Sequence, residues 1–266
     1  MKISVLTPTI RPEGLKIVEE ALHNQQFDGK FEWIIGARSA CPIINTPFIT
    51  RWINDDFEGG FWALNRIYNK LFQEATGELV VSLQDNIYIP PDGLQKFWDA
   101  YEDTAGQALI SGVGDQYEQL DENGKPIVKI WSDPRKTTKH GTFYECYWND
   151  CEWNWAAIPR VKFFDVGGMD EQLDFAGYGG DQLQLCDRID DMQTAKFYID
   201  QENESFTLRH DRSAHGGQEN WDKHHVLLND AYVKRKNQLI REKNWPVLED
   251  NGNLIKLNLH EQATTQ

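Results

Sequence analysis

The residues of this chain best suited to chemistry are few and far apart. Asp85 follows the apolar run Leu79-Val-Val-Ser-Leu83, and Pro90-Pro91 stands shortly after it. A carboxylate at the tip of a buried strand can hold a hard divalent cation, and such a cation neutralises the charge of a departing diphosphate. The same carboxylate can instead cap a turn through its own oxygen. The segment Gly177-Tyr178-Gly179-Gly180-Asp181 puts three glycines before an aspartate that opens a helical pattern. Glycines this dense let backbone approach a ligand closely, whereas Asp181 alone could simply sit favourably in the helix dipole. Thr207-Leu-Arg-His210-Asp-Arg, with His215 beyond it, offers imidazoles, which are common metal ligands. His210 gains meaning as a ligand only in the company of Asp85.

The elements that must position these groups follow from periodicity. Ile3 to Thr9 reads as a strand ended by Pro8, followed by a helix from Pro12 through Leu22. Phe31 to Gly36 is a second strand, and Cys41 to Asp56, with Pro42 and Pro47, reads as irregular. Phe61, Leu64, Ile67, Leu71 and Ala75 recur at helical spacing and stop at Gly77. Glu78 to Leu83 is a buried strand whose end carries Asp85, and ligands bind at such strand ends in open α/β sheets. Ala108 to Val113 and Ile127 to Trp131 are further strands, Arg160 to Val166 and Asp181 to Asp191 helices, and Phe206 to His210 a last short strand. Trp131 to Trp155 is crowded with aromatics and has no clear period. Glu219 to Lys243 reads as a long charged helix.

Composition narrows the function classes. A formal net charge of -15 argues against long-range attraction to phosphate backbones or anionic membranes, leaving only local basic stretches such as Arg135-Lys136 and Lys234-Arg-Lys236. In so acidic a chain these read first as solvated faces. The four cysteines form no CxxC pair and read as reduced thiols. The N-terminal apolar run is interrupted by Thr7, Pro8 and Arg11 before it reaches signal-peptide length, and no stretch reaches the ~20 apolar residues of a membrane span. A cytoplasmic location is the expectation. Ten tryptophans exceed what a core ordinarily needs, so some are expected to face a ligand.

Taken together, Val5-Leu-Thr-Pro-Thr-Ile-Arg-Pro12, Asn65-Arg66, Gly77 to Asn86, Phe164-Asp-Val-Gly-Gly-Met-Asp-Glu171 and Gly177 to Arg188 resemble, in the right order, the family-2-like glycosyltransferases of the GT-A fold. The resemblance covers roughly residues 1 to 215. It implies an α/β domain over 1–217 with a central mixed, mostly parallel sheet flanked by helices, and a helical extension over 218–266. It implies a hexosyl-transferring enzyme that moves a sugar from a nucleotide-sugar, with UDP the first guess, to an acceptor hydroxyl. Thr7, Pro8, Thr9, Arg11, Asn65, Arg66 and Asp85 would border the donor. Asp85 and His210 would hold Mn2+ or Mg2+, since Arg209-His-Asp-Arg212 is similar to a galactosyltransferase and N-acetylgalactosaminyltransferase stretch. Asp181 would contact the acceptor or act as base, with Tyr178, Gly179 and Gly180 beside it. Trp148, Trp153 and Trp155 precede that loop, and flat rings suit the apolar face of a sugar, so Trp153 and Trp155 are taken as acceptor contacts.

The departures carry weight too. Gln84 and Asn86 flank Asp85 where relatives carry carboxylates, Ile35 to Ser39 lacks the aspartate that reads uridine, and Gln182 follows Asp181 where an inverting base would stand. A non-catalytic binding module on the same fold is therefore one alternative, and a nucleotidyltransferase is another, although Thr7 to Pro12 lacks the glycines of a phosphate loop. The acceptor is expected to be a glycan or another hydroxyl-bearing molecule; a modified nucleic-acid base is less expected.

Overall fold

The computed structural model describes residues 1–37, 46–54, 63–137, 139–171 and 181–209, together with two short strands, Val247–Leu248 and Leu254–Ile255, that pair antiparallel. The strands of the main sheet are Ile3–Pro8 (β1), Phe31–Ala37 (β2), Ile49–Asn54 (β3), Leu79–Leu83 (β4), Ile87–Tyr88 (β5), Ala108–Leu120 (β6), Pro126–Trp131 (β7), Phe143–Glu145 (β8), Trp155–Pro159 (β9) and Lys196–Leu208 (β10). Its helices are Leu15–His23 (α1), Leu64–Glu74 (α2), Gly93–Asp103 (α3), Arg160–Asp165 (α4) and Asp181–Asp191 (α5).

The strand order is β3-β2-β1-β4-β9-β6-β10-β5, with β7 paired to β6 and β8 to β10. Pairing is parallel across β3, β2, β1 and β4 and between β6 and β10, while β9 runs against both its neighbours. The sheet is thus mixed with one dominant direction, as expected. From β1 the chain builds outward through β2 and β3, then returns to place β4 on the other side of β1. Such a reversal leaves a crevice beyond the carboxyl ends of β1 and β4.

Helices cover both faces, so the central strands are apolar without alternation. On one face Leu6, Ile34, Val80 and Ile158 pack against Ile67, Leu71 and Phe72 of α2, Phe163 of α4 and Leu185 and Ile189 of α5. On the other, Val5, Ile35, Val81 and Ala157 pack against Val18 and Leu22 of α1 and Leu94, Phe97 and Trp98 of α3. Burying one such side chain stabilises the fold by roughly 1.5–3 kcal/mol, so the sheet is held rigidly under the crevice.

Several elements depart from the sequence reading. Helix α3 was not anticipated: Pro90-Pro91 ends β5, but Asp92 follows as a helix cap position and the chain turns directly into α3. β3 lies within the stretch read as irregular, and it sits at the sheet edge with no fully buried residue. β9 is only five residues, Trp155-Ala-Ala-Ile-Pro159, too short to show a period, although every one is buried. β6 and β10 each run to 13 residues, because their polar distal halves gain a neighbouring strand where periodicity alone shows none. The expected helix over Glu219 to Lys243 and the division at 217/218 lie outside the described residues. Among the described residues no helix is long and apolar enough to cross a membrane.

Candidate functional site

Three side chains meet in the crevice. Thr9, just past β1, donates its hydroxyl to Asp85 Oδ2 at 2.6 Å and accepts the backbone N–H of Arg11 at 2.9 Å. Arg11 in turn places Nη2 on Asp85 Oδ1 and Nε at 3.3 Å from Oδ2. Asp85 is 4% exposed and Arg11 9%, so this pair is largely withdrawn from water. The Nη1 of Arg11 is buried and has no hydrogen-bond partner among the described residues. A buried donor without a partner carries the full desolvation penalty, about 1–3 kcal/mol, until something accepts from it.

The backbone holds this cluster in place. The Thr9 N–H donates to Gly36 at 2.8 Å, and the Thr7 hydroxyl accepts the indole N–H of Trp33 at 2.9 Å. Pro8 closes β1 opposite Gly36. On the far side of Asp85, Asn86 takes a left-handed conformation at φ 61°, which asparagine tolerates better than most residues. Its carboxamide lies against Gly14, where an added Cβ would come within 2.4 Å of it. A larger residue at Gly14 would push the Asn86 side chain from this position.

Other expected residues reach the same edge through topology. A helix that follows a strand and runs back along the sheet begins at the strands' carboxyl edge, which is where Asn65 and Arg66 stand in the first turn of α2. Asn65 is buried and Arg66 half-buried. Asp181 opens α5 at that edge as well, and the next residue, Gln182, accepts the N–H of Trp153 at 3.2 Å. Tyr178, Gly179, Gly180, His210 and His215 lie outside the described residues.

Two aromatic expectations are corrected. Trp153 and Trp155 are each 2% exposed. Trp153 packs on Tyr68 and Phe72, and Trp155 packs on Phe97 while its indole N–H donates to Asn203 at 3.1 Å. Rings covered on their faces by protein cannot stack on a sugar; apolar mass drew them into the core.

The donors also decide how a divalent cation would fit. Both oxygens of Asp85 are taken by Arg11 and Thr9, and its neighbours Gln84 and Asn86 are uncharged. Among the described residues no group of three or more His, Cys, Asp or Glu side chains converges. A guanidinium stands where a cation on Asp85 would sit, so the described residues do not fit Mn2+ or Mg2+. In this structure Asp85 anchors Arg11, and the other expected ligand, His210, lies outside the described residues.

Sequence reasoning missed a second polar group beside the crevice. Arg135, read as part of a solvated basic face, is half-buried, its side chain 11% exposed: Nη1 donates to Ser111 at 2.8 Å and Nε to Asp133 at 2.9 Å. Glu152 lies 3.6 Å from it. Its partners Ser111 and Glu152 lie 24 and 17 positions away in sequence, so local spacing carries no signal of it.

This topology, with its ligand crevice beyond β1 and β4, is that of the GT-A fold. S. aureus TarS, a family-2 glycosyltransferase, superposes with TM-score 0.56 at 14% identity, over 78% of this chain and 60% of that one. Its complex with UDP gives 0.53 at 15% identity over 79% and 61%, and its complex with UDP-GlcNAc 0.53 at 13% over 82% and 61%. The chain therefore spans about 60% of the length of these TarS structures. No protein-family model and no curated protein sequence matches the chain.

Proposed function

We propose that this protein is a glycosyltransferase that takes its sugar from a nucleotide-sugar, a UDP-sugar first among them, and passes it to an acceptor hydroxyl. The observation that carries the reading is the Thr9–Arg11–Asp85 cluster at the carboxyl ends of β1 and β4, on a fold shared with a protein whose structures hold UDP and UDP-GlcNAc. The donor's diphosphate lies against Arg11, whose unpartnered Nη1 gains an anionic acceptor, and Thr7, Pro8, Asn65 and Arg66 border the nucleotide.

As the bond from the anomeric carbon to the phosphate breaks, negative charge builds on the leaving diphosphate. A guanidinium held in place by Asp85 stabilises that charge without reorganising, which is the most effective electrostatic arrangement. Asp85 keeps Arg11 aimed, and Thr9 keeps Asp85 aimed. The acceptor enters from the side of Asp181 and α5.

Calorimetric titration of the protein with UDP, GDP and dTDP and the corresponding nucleotide-sugars tests this reading. Binding of one nucleotide class together with slow release of its diphosphate is the expected result. Binding without turnover on any acceptor would favour a non-catalytic nucleotide-sugar binding module, the reading that Gln84, Asn86 and Gln182 support; no binding to any nucleotide refutes the transferase and favours a glycan-binding module.

A further inference from the structure

A cleft of about 60 Å³ opens next to the crevice, and none of the residues expected to contact the acceptor explains it except the buried edge of Trp155. Its walls include Ile87, two positions beyond Asp85, and Asn154, whose carbonyl accepts the N–H of Gln84 at 3.1 Å. The cleft thus flanks the strand end that carries Asp85. Gln116, Trp131, Arg135 and Glu152 complete the part that matters here. A water needs roughly 10–15 Å³ by this measure, so the space takes several waters or the hydroxyl-bearing edge of a ring.

We propose that this cleft receives the acceptor as a neutral sugar or polyol, with Trp131 as its stacking platform and Glu152 as the group that takes the proton from the attacking hydroxyl. The proposal rests on the glycosyltransferase reading and adds to it the acceptor's class and the base.

Trp131 supplies what Trp153 and Trp155 do not. It ends β7, lines the cleft and is 40% exposed, so part of it stays accessible to a ligand there. An indole face matches the C–H face of a sugar, and its N–H can still bond outward. The polar groups inside are fixed in advance: Arg135 is tied to Ser111 and Asp133, and it faces Glu152 at 3.6 Å. The Glu152 carboxylate accepts no hydrogen bond from any described residue, and its side chain is 41% exposed, so a hydroxyl can reach it. Burial pushes its pKa above the usual carboxylate value, against the pull of the Arg135 charge, which makes it a stronger proton acceptor than a free glutamate. A carboxylate at the wall also disfavours an anionic acceptor.

The step balances. The acceptor hydroxyl gives its proton to Glu152 and its oxygen bonds to the anomeric carbon. The bond from that carbon to the phosphate oxygen breaks, and its electron pair leaves on the diphosphate beside Arg11.

The test uses methyl glycosides of glucose, galactose and N-acetylglucosamine as probes, with UDP present. Saturation-transfer NMR should show contact with at least one glycoside for the wild type and lose it in Trp131→Ala, with UDP affinity unchanged by calorimetry. Release of UDP from the preferred UDP-sugar in the presence of that glycoside should fall about a hundredfold in Glu152→Gln, with the donor still bound. Formate should restore part of the rate in Glu152→Ala, which a structural role would not allow. Saturation transfer that is absent or untouched by Trp131→Ala, or turnover that survives Glu152→Gln and vanishes in Asp181→Asn, overturns the proposal. A wild type that binds UDP but none of the glycosides would leave the transferase reading standing without it.

Discussion

Arg11 and Asp85 lie 74 residues apart in sequence, yet their side chains share two contacts at the point where β1 and β4 open into the crevice. A buried ion pair is weak evidence for stability, since the desolvation of two charges offsets most of their attraction. Its placement at a ligand crevice, with one guanidinium nitrogen left over, points to binding.

If Arg11 rather than a cation meets the diphosphate, the two partners respond oppositely to substitution. Arg11→Gln removes a charge-assisted contact worth about 1.5–3 kcal/mol, a weakening of nucleotide binding by roughly ten- to a hundredfold. Arg11→Lys keeps the charge without the fork and falls between. Asp85→Asn removes a negative charge from beside the phosphates, so binding of UDP in the presence of chelator holds or tightens. Calorimetry decides, because binding that needs added Mn2+ and disappears in Asp85→Asn would return Asp85 to the role of metal ligand.

The sequence disclosed this crevice better than it disclosed the acceptor side. Asp85 and the Thr9 to Arg11 turn were legible because each begins within two residues of the end of a short, fully buried strand, and burial on both faces leaves a continuous run to read. Their mutual contact was not, since an arginine that closes on a carboxylate across 74 positions leaves no local trace. The acceptor side misled for a different reason. Trp153, Trp155 and Trp131 are chemically identical, and only the packing of Tyr68, Phe72 and Phe97 determines which two are covered and which one is left open.

Asp115 gives a pH dependence that can be read from stability. Burial raises its pKa, but hydrogen bonds from Lys129, Lys136 and the backbone N–H of Asp133 outweigh burial and bring it down to about 2 from 3.8. A folded-state value below the unfolded one means that its contribution is fully present above about pH 4 and is lost as pH falls from there through about 2. The shift corresponds to about 2 kcal/mol. Asp115→Asn should therefore lower stability at neutral pH and flatten its acid dependence between pH 4 and 2, as followed by urea unfolding across that range. A variant that unfolds in acid with the wild-type slope would remove Asp115 from the balance.

The thiols should differ in reactivity although two of them nearly touch. Cys146 and Cys151 have sulfurs 3.6 Å apart, and both are unpaired thiols, as is Cys186. The contact with Cys146, together with burial, pushes Cys151 well up, and burial pushes Cys186 up to about 12. Since the thiolate is the nucleophile, iodoacetamide at pH 8 should modify Cys146 in the folded protein far faster than Cys151 or Cys186. Mass spectrometry of the alkylated peptides measures the order, and early labelling of Cys186 would show that α5 opens readily.

The two buried tryptophans separate a core role from a site role. Trp155→Phe and Trp153→Phe remove similar ring area, so their packing losses are comparable. They differ in the indole N–H: that of Trp155 bonds to the buried Asn203, while that of Trp153 has no partner among the described residues. Trp155→Phe leaves the Asn203 carbonyl without its donor and should be less stable than Trp153→Phe by about 1–3 kcal/mol. Neither change touches the Arg11–Asp85 pair, so nucleotide affinity should stay at the wild-type value in both. Urea unfolding and calorimetry on the same two variants check the two halves separately; a loss of glycoside contact in Trp153→Phe with stability intact would put that ring back at the acceptor.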